Sequence, residues 1–427
     1  MEDIEKVAKI ALEEQEKEAA RDPNVKTALS IVENFIKTHR VMCYGGTAIN
    51  NLLPKEDRFY DPNKDIPDYD FFSETPQIHA AKLADRLTSA GFKSVEVKPG
   101  VHLGTFKVFA DYTGVADISH LDKAIFKKLW DEDIQKEGIH YVPPNFLRMS
   151  VYLELSRPKG DVTRWKKVYS RLLLLNKHYP MTCPKDQTET SDMYLKPEIK
   201  KKIEGLLVKE KIILLGFNAS QLQQRQNSDW MLPMDLLVTP EKRGEITKVL
   251  HEYLEDKAEQ KLKLDEVPAY EELLPAHTDI DDPKTGKTLI RIYETDACHS
   301  YHQTKSGLML ASIPTLLQFF LSVLYAPKHF LEEIPEQRFL CTADHLVAMA
   351  NNNLPRRYKL LTPITCLGKQ KSLLDMRKDK SVLYEKLSKN KSSPEFLEYF
   401  FTYVPTSMDK TRRQKAREDL RKTLRKH

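Results

Sequence analysis

Asp68 and Asp70, in "IPDYDFF" at 66–72, are two carboxylates separated by one residue inside a β-like run. On a strand, residues i and i+2 project to the same face, so the two charges point together while Tyr69 and Phe71 face the other way. Side by side they repel, and placing them among apolar residues is costly unless a cation sits between them. Hard oxygen ligands select Mg²⁺ or Mn²⁺, and Mg²⁺ binds through one or two carboxylates together with substrate phosphates. A third carboxylate on a neighbouring strand would let two ions lie about 4 Å apart, one activating a hydroxyl and the other neutralising a leaving pyrophosphate. Asp117, in "GVADIS" between Ala116 and Ile118, fits that place. Asp111, in "VFADYTG", is the rival, and its alternative role is a turn hydrogen bond.

A phosphate site needs backbone that a ligand can approach. In "VMCYGGTAINNLLP" at 41–54, Gly45 and Gly46 end an apolar strand and a helix opens near Thr47. Glycine lets a triphosphate come close, the helix start aims free N–H groups at it, and Thr47 adds a hydroxyl. Alone, a glycine pair marks an ordinary turn; followed by the Asp pair and a further Asp, it reads as a nucleotide cradle. A second candidate lies in "GDVTRWKKVYSRLLLL", where Arg164, Lys167 and Arg171 share one side of a predicted helix and would bind triphosphate or RNA phosphates, or form a solvated face.

The elements that must hold these groups follow from periodicity. Residues 24–39 place Ala28, Ile31, Val32, Phe35 and Ile36 at helical spacing, "VMCY" is a short strand, and "TPQIHAAKLADRLTSAG" is a helix with Pro near its start. "FKSVEV", "GTFKVFADY" and "VADISHL" are strands. The pattern then recurs. "KKKIEGLLVKEKIILLGFNASQLQQ" at 200–224 has the helix, strand and glycine turn of the Gly45 segment, and "LPMDLLVTPEKRGEITKVLHEYL" at 232–254 mirrors the Asp70 segment, with Asp235 opposite Asp70 and Thr-Pro kept. "KTLIRIYETDACHSYH" resembles "GTFKVFADYTGVADISHL", and "LMLASIPTLLQFFLSVLYAP" resembles "IHYVPPNFLRMSVYLELSRP". In the second copy the Gly-Gly-Thr is "GFN" and Asp68 becomes Pro233, so that copy is structural or a binding surface. The expected architecture is α+β: two tandem domains, each a mixed sheet flanked by helices, the second degenerate. The expected bounds are 1–182, 183–405, and a basic tail at 406–427.

With 427 residues, 41% hydrophobic and 30% charged, the chain carries enough apolar material for two or three domains. No run of 18 or more apolar residues appears and the N-terminal stretch is a charged helix former, so neither a membrane span nor a signal peptide is expected. Cys43, Cys183, Cys298, Cys341 and Cys366 are scattered without a CxxC, which predicts reduced thiols and no structural zinc. Net charge is only +5, yet "KTRRQKAREDLRKTLRKH" holds nine Lys or Arg against one Glu and one Asp, a composition suited to a polyanion or to a solvated helix.

The glycine turn, the Asp pair and the third Asp resemble the pattern of the nucleotidyltransferase superfamily that includes DNA polymerase β. The gap from Gly46 to Asp68 is longer than that pattern, with "KEDRFYDPNKDIP" as an apparent insertion. "PPNFLRMSVYLELSRPKGDVTRWKKVYSRLLLLNKHYP" at 143–180 sharpens the resemblance to the poly(A) polymerases of large cytoplasmic DNA viruses. That resemblance implies template-independent addition of AMP from ATP to RNA 3′ ends in the cytoplasm of an infected host cell or in a virion. It also implies two Mg²⁺ or Mn²⁺ ions held by Asp68, Asp70 and Asp117, and a triphosphate at Gly45, Gly46 and Thr47. Two rival readings stand beside it: another nucleotidyl transfer, such as uridylyl or CCA addition or a small-molecule target, and an RNA-binding processivity subunit without chemistry. Self-association as a homodimer is one way such an enzyme would stay on its strand.

Overall fold

The computed structural model describes residues 2–61, 64–184, 193–226, 229–327 and 334–424. It divides into two compact units, Met1–Pro143 with Ser372–His427, and Pro144–Lys371.

In the first unit, α1 (Glu2–Arg21) precedes α2 (Pro23–Thr38), which starts where Asp22 accepts hydrogen bonds from the Asn24 and Val25 amides, with Pro23 in the first turn. Next come β1 (Met42–Cys43), α3 (Gly45–Leu52), β2 (Asp70–Ser73), α4 (Pro76–Ser89), β3 (Val95–Pro99), β4 (Thr105–Ala110), β5 (Thr113–His120), α5 (Lys123–Asp131), β6 (Ile134–Lys136) and β7 (Ile139–Tyr141). The strands form a mixed sheet in the order β3-β4-β5-β2-β1-β7-β6. β2 and β5 run parallel, as do β1 and β7, while β1 and β2 run antiparallel. Alternation fixes the faces: Tyr69, Phe71 and Ser73 are buried, whereas Asp70 and Phe72 are half-buried on the opposite side. Phe71 packs beneath Phe35 of α2, ring centroids 6.3 Å apart, so α2 covers the face turned away from Asp70.

The second unit begins with α6 (Pro144–Leu155) and α7 (Trp165–His178), followed by β8 (Met193–Tyr194), α8 (Pro197–Glu210), β9 (Ile213–Leu214), α9 (Gly216–Gln223), β10 (Met231–Leu232), β11 (Met234–Val238) and α10 (Pro240–Ala258). It continues through β12 (Lys263–Val267), β13 (His277–Asp282), β14 (Lys287–Glu294), β15 (His299–Gln303), β16 (Met309–Ala311), α11 (Ile313–Val323), α12 (Glu336–Ala350) and β17 (Cys366–Leu367). Its larger sheet runs β12-β13-β14-β11-β9-β16-β15-β17. Strand for strand this repeats the first sheet: β11 and β14 are parallel like β2 and β5, and β9 and β16 like β1 and β7. The helices after Asp70 and Asp235 both open on Thr-Pro, at Thr75-Pro76 and Thr239-Pro240. One sequence match is displaced. Lys287–Glu294 is the counterpart of β5 rather than of the β4–β5 hairpin, because β13 supplies the β4 equivalent.

The chain then returns to the first unit with α13 (Leu373–Leu387), α14 (Pro394–Phe400) and α15 (Lys410–Leu424). The expected bounds at 182/183 and 405/406 therefore differ from the compact units. α6 is apolar nearly all round, burying Phe146, Leu147, Met149, Val151, Tyr152 and Leu155, and it finds its partner in α11 of the second unit. Tyr403 bridges to Val97 by two backbone hydrogen bonds of 2.8 and 3.2 Å, covering the exposed edge at β3 and tying 394–424 to the first unit. The thiol expectation is also corrected. Cys183 is bonded to Cys341 and Cys298 to Cys366, both within the second unit, and Cys43 is buried and free. Pairings across 158 and 68 residues leave no trace in local spacing.

Candidate active site

β1 delivers the chain to Tyr44, whose amide donates to the Asp70 carbonyl at 3.0 Å, and the backbone then turns at Gly45 with φ +74° into α3. A Cβ on Gly45 would stand 2.8 Å from Asp70 Oδ2, so the first glycine is the wall against which the Asp70 carboxylate rests. Across the parallel pair, Asp70 is in register with Asp117, and the Asp117 amide donates to the Tyr69 carbonyl at 3.0 Å. Both carboxylates belong to half-buried residues on the same sheet face.

Lys107, in register with Asp117 on β4, reaches it with Nζ 2.5 Å from Oδ2. The spacing of "TFKVFA" puts Lys107 in phase with the solvent-facing side of its strand, but only the antiparallel register shows which acid it meets. Sequence reasoning missed this lysine. On the same face Tyr44 stacks on Phe72 at 3.8 Å, and its hydroxyl is 2.9 Å from Ser119 Oγ.

The remaining predicted residues are placed unequally. Asp68 precedes β2, is exposed, and its backbone carbonyl accepts a hydrogen bond from the Thr47 hydroxyl. Thr47 is 2% exposed, so its hydroxyl is committed to joining α3 to the segment before β2. Asp111 is exposed at φ +43°, and its Oδ1 accepts from the Lys93 and Ser94 amides at 3.0 and 2.8 Å; it fulfils the turn role. Arg164 and Lys167 belong to the second unit, exposed, with Arg164 Nε 3.6 Å from Glu154. The "KEDRFYDPNKDIP" insertion is tied down where Asn50 Oδ1 accepts from the Phe59 and Tyr60 amides, both at 2.9 Å; residues 62 and 63 lie outside the described residues.

As to a metal, Asp70 and Asp117 offer adjacent hard oxygens at one register position, and Lys107 already stands where a cation is demanded. This donor set suits a divalent ion that takes one or two carboxylates and completes its shell from phosphates and water. Among the described residues no group of three or more His, Cys, Asp or Glu side chains converges, so Asp68 is not gathered with the other two.

Comparison with known proteins meets this geometry. Over its full extent the chain superposes on the crystal structure of the Megavirus polyadenylate synthase, with a TM-score of 0.77, 21% identity, and coverage of 99% of this chain and 89% of that one. The chain has the fold of that synthase. Residues 30–161, which hold the glycine turn, the Asp pair and Asp117, match the family model described as poly(A) polymerase catalytic subunit. Proteins named "Putative poly(A) polymerase catalytic subunit" are similar over part of the chain. That of African swine fever virus isolate Pig/Kenya/KEN-50/1950 is 30% identical over 172 residues, 39% of this chain and 36% of that protein. That of the Badajoz 1971 Vero-adapted strain is 31% identical over 181 residues, 41% and 38%, and that of Acanthamoeba polyphaga mimivirus 29% over 160 residues, 36% and 27%. The matched part thus spans less than two fifths of each of these relatives. The resemblance read from the residues is borne out.

The second sheet repeats the same frame with different side chains at the matching positions. Leu215 N donates to the Asp235 carbonyl at 2.9 Å, as Tyr44 does to Asp70, and Gly216 at φ +63° rests on the Asp235 carboxylate as Gly45 does on Asp70. At the register of Asp117, however, stands Arg291, and at that of Lys107 stands Asp279. Anion and cation have exchanged strands, so a guanidinium occupies the place from which a carboxylate would ligate. Asp235 and Arg291 are buried, 3% and 4% exposed.

Proposed function

We propose that this chain is a polynucleotide adenylyltransferase that adds AMP from ATP to RNA 3′ ends without a template. The observation that carries the reading is Asp70 beside Asp117 on parallel strands, with Gly45 closed against Asp70, inside the segment that matches the poly(A) polymerase catalytic subunit.

Asp70 and Asp117 would hold Mg²⁺ or Mn²⁺, and exposed Asp68, which stands apart from them in the structure, would be drawn in as the third acid when the ion binds. Bound there, the metal supplies a lowered pKa for the attacking 3′ hydroxyl and charge neutralisation at the leaving pyrophosphate. The chain's own part is positional. Gly45 and Gly46 admit the triphosphate to the backbone at the start of α3, and the two strands fix the carboxylates in one plane of approach. Because the transition state carries its charge on phosphate oxygens, positioning and electrostatics supply most of the acceleration. Lys107 neutralises Asp117 in the absence of substrate, keeping the two carboxylates from repelling each other. Arg164 and Lys167 are proposed to meet substrate phosphates. RNA and ATP are the proposed partners, and self-association as a homodimer is kept as a proposal on the same footing.

No helix among the described residues is long and apolar enough to cross a membrane. A primer-extension assay with each NTP in turn tests the reading: extension by ATP well above the other three is expected. Equal use of all four would reject adenylate specificity, and RNA binding without extension at any Mg²⁺ or Mn²⁺ concentration would favour a binding subunit.

A further inference from the structure

The face of the first sheet turned away from Asp70 is covered by α2 and α4, and a third helix packs on α4. α15 packs against α4, burying Leu420 to 7% exposure. Its Arg413 Nη1 donates to the Asp85 carbonyl and lies within bonding distance of Ser89 Oγ, both at 3.3 Å. Arg417 pairs with the Asp85 carboxylate, which also accepts from the Tyr403 hydroxyl at 2.8 Å. Residues 413, 417 and 420 follow helical spacing, so the basic stretch is a helix docked by one face, with its other cations turned to solvent.

Between α4 and α15 runs a groove of about 580 Å³ whose lining includes Lys82, Arg86, Lys410, Arg413 and Arg417. Five cations thus surround one carboxylate, Asp85. Among the described residues no carboxylate pairs with Lys82, Arg86 or Lys410. Burial and the charges of Arg421, Arg417 and Arg86 push the Lys82 ammonium down from its ordinary pKa. Like charges held this close are destabilising unless an anion joins them. The groove also has no Trp, Tyr or Phe in its lining, the residues that anchor protein interfaces. Guanidinium and ammonium groups on two facing helices match a row of phosphates, which position a strand without reading its bases.

We propose that this groove binds the phosphodiester backbone of single-stranded RNA, as a second track on the opposite side of the sheet from Asp70 and Asp117. The proposal rests on the reading that RNA is the substrate. It assigns the basic helix the task of keeping the enzyme on its strand between additions.

The test is the double variant Lys82→Gln with Lys410→Gln in the full chain. Neither side chain takes part in a hydrogen bond or ion pair among the described residues, so the fold should be kept, with the unfolding temperature unchanged or raised as the repulsion among the cations is relieved. Binding of a labelled oligoadenylate is followed by fluorescence anisotropy across a salt series. Losing two phosphate contacts should make the slope of log K against log salt shallower by about 1.4, at about 0.7 per phosphate for single strands. Products should shorten while the first addition to saturating primer keeps its rate. An unchanged slope would overturn the proposal, as would RNA binding unaffected while binding of a labelled polyglutamate falls, which would mark an acidic-protein surface. Displacement of this signal by ATP alone would mark a mononucleotide site instead. If the wild type extends no primer but the slope still changes, the assigned activity fails and the RNA track stands.

Discussion

The contact between Gly45 and Asp70 makes a demanding prediction because the same contact exists twice. In Gly45→Ala, a β-carbon would have to occupy a left-handed φ of +74° and lie 2.8 Å from Asp70 Oδ2. The backbone cost is about 1–2 kcal/mol, which lowers the unfolding temperature of a unit of this size by about 2–8 °C. To restore ordinary contact the carboxylate must also retreat by at least about half an ångström, and displacements of that order at reacting groups cost about 10- to 100-fold in rate. Gly216→Ala is the control. Its φ is +63° and its β-carbon would fall 2.1 Å from Asp235 Oδ2, so it should destabilise the second unit at least as much. It should leave the first-addition rate within about twofold of wild type, because that sheet carries Arg291 at the register where the first carries Asp117. Differential scanning calorimetry and single-nucleotide addition at 25 °C read both quantities. Equal activity losses in the two variants, or full activity in Gly45→Ala, would refute the reasoning.

Other consequences are more local. Lys107→Met removes the ammonium that a metal would have to displace from Asp117. Since this pair is part-exposed and worth at most about 1 kcal/mol, Mn²⁺ affinity read by electron paramagnetic resonance should rise by up to about fivefold. A fall in Mn²⁺ affinity would contradict the placement of the ion at Asp117. The Cys183–Cys341 bond closes 158 residues, so Cys341→Ser should lower the stability of the second unit by up to about 5 kcal/mol in the chain-entropy description, measured by urea unfolding. No difference between oxidised and reduced protein would argue that the bond does not form. His299 is 7% exposed, and burial, helped by the charge of Arg157, pulls its pKa down to about 3. The unfolded chain takes up this proton near pH 6.5 and the folded chain does not, so the stabilisation is complete above 6.5. It declines by about 2 kcal/mol between pH 6.5 and 5. His299→Gln should flatten that limb of the stability profile, and an unaltered limb would place the titration elsewhere.

How far the sequence reveals this molecule depends on whether a feature is local. The glycine turn and the Thr-Pro helix starts are conformational signals found where the residues place them, whereas the strand expected to carry both Asp68 and Asp70 begins only at Asp70 and leaves Asp68 exposed before it. The duplication is visible for the same reason, since two sheets that share a seven-strand order, to which the second adds β17, need the same succession of helices, turns and strands. What escaped was set by pairing. The facing of Lys107 with Asp117, and its inversion to Asp279 with Arg291, exists only through strand register. The union of Cys183 with Cys341 exists only because the segment after α7 lies beside α12, 158 residues on in the chain. Thr47 shows a further limit: a hydroxyl beside a glycine turn suggests a ligand donor, yet its bond to the Asp68 carbonyl makes it a brace. The expected first domain, 1–182, takes in α6 and α7, whereas the apolar surface of α6 is satisfied by α11.

The most direct test compares Asp70→Asn, Asp117→Asn and Asp235→Asn for addition of a single AMP to an RNA primer, with unfolding temperatures measured alongside. The account predicts that the first two retain their fold and lose addition by a factor of about 1,000 or more, as expected when charge stabilisation at the reacting phosphate is removed, while Asp235→Asn stays active. Undiminished addition by Asp70→Asn or Asp117→Asn would contradict it.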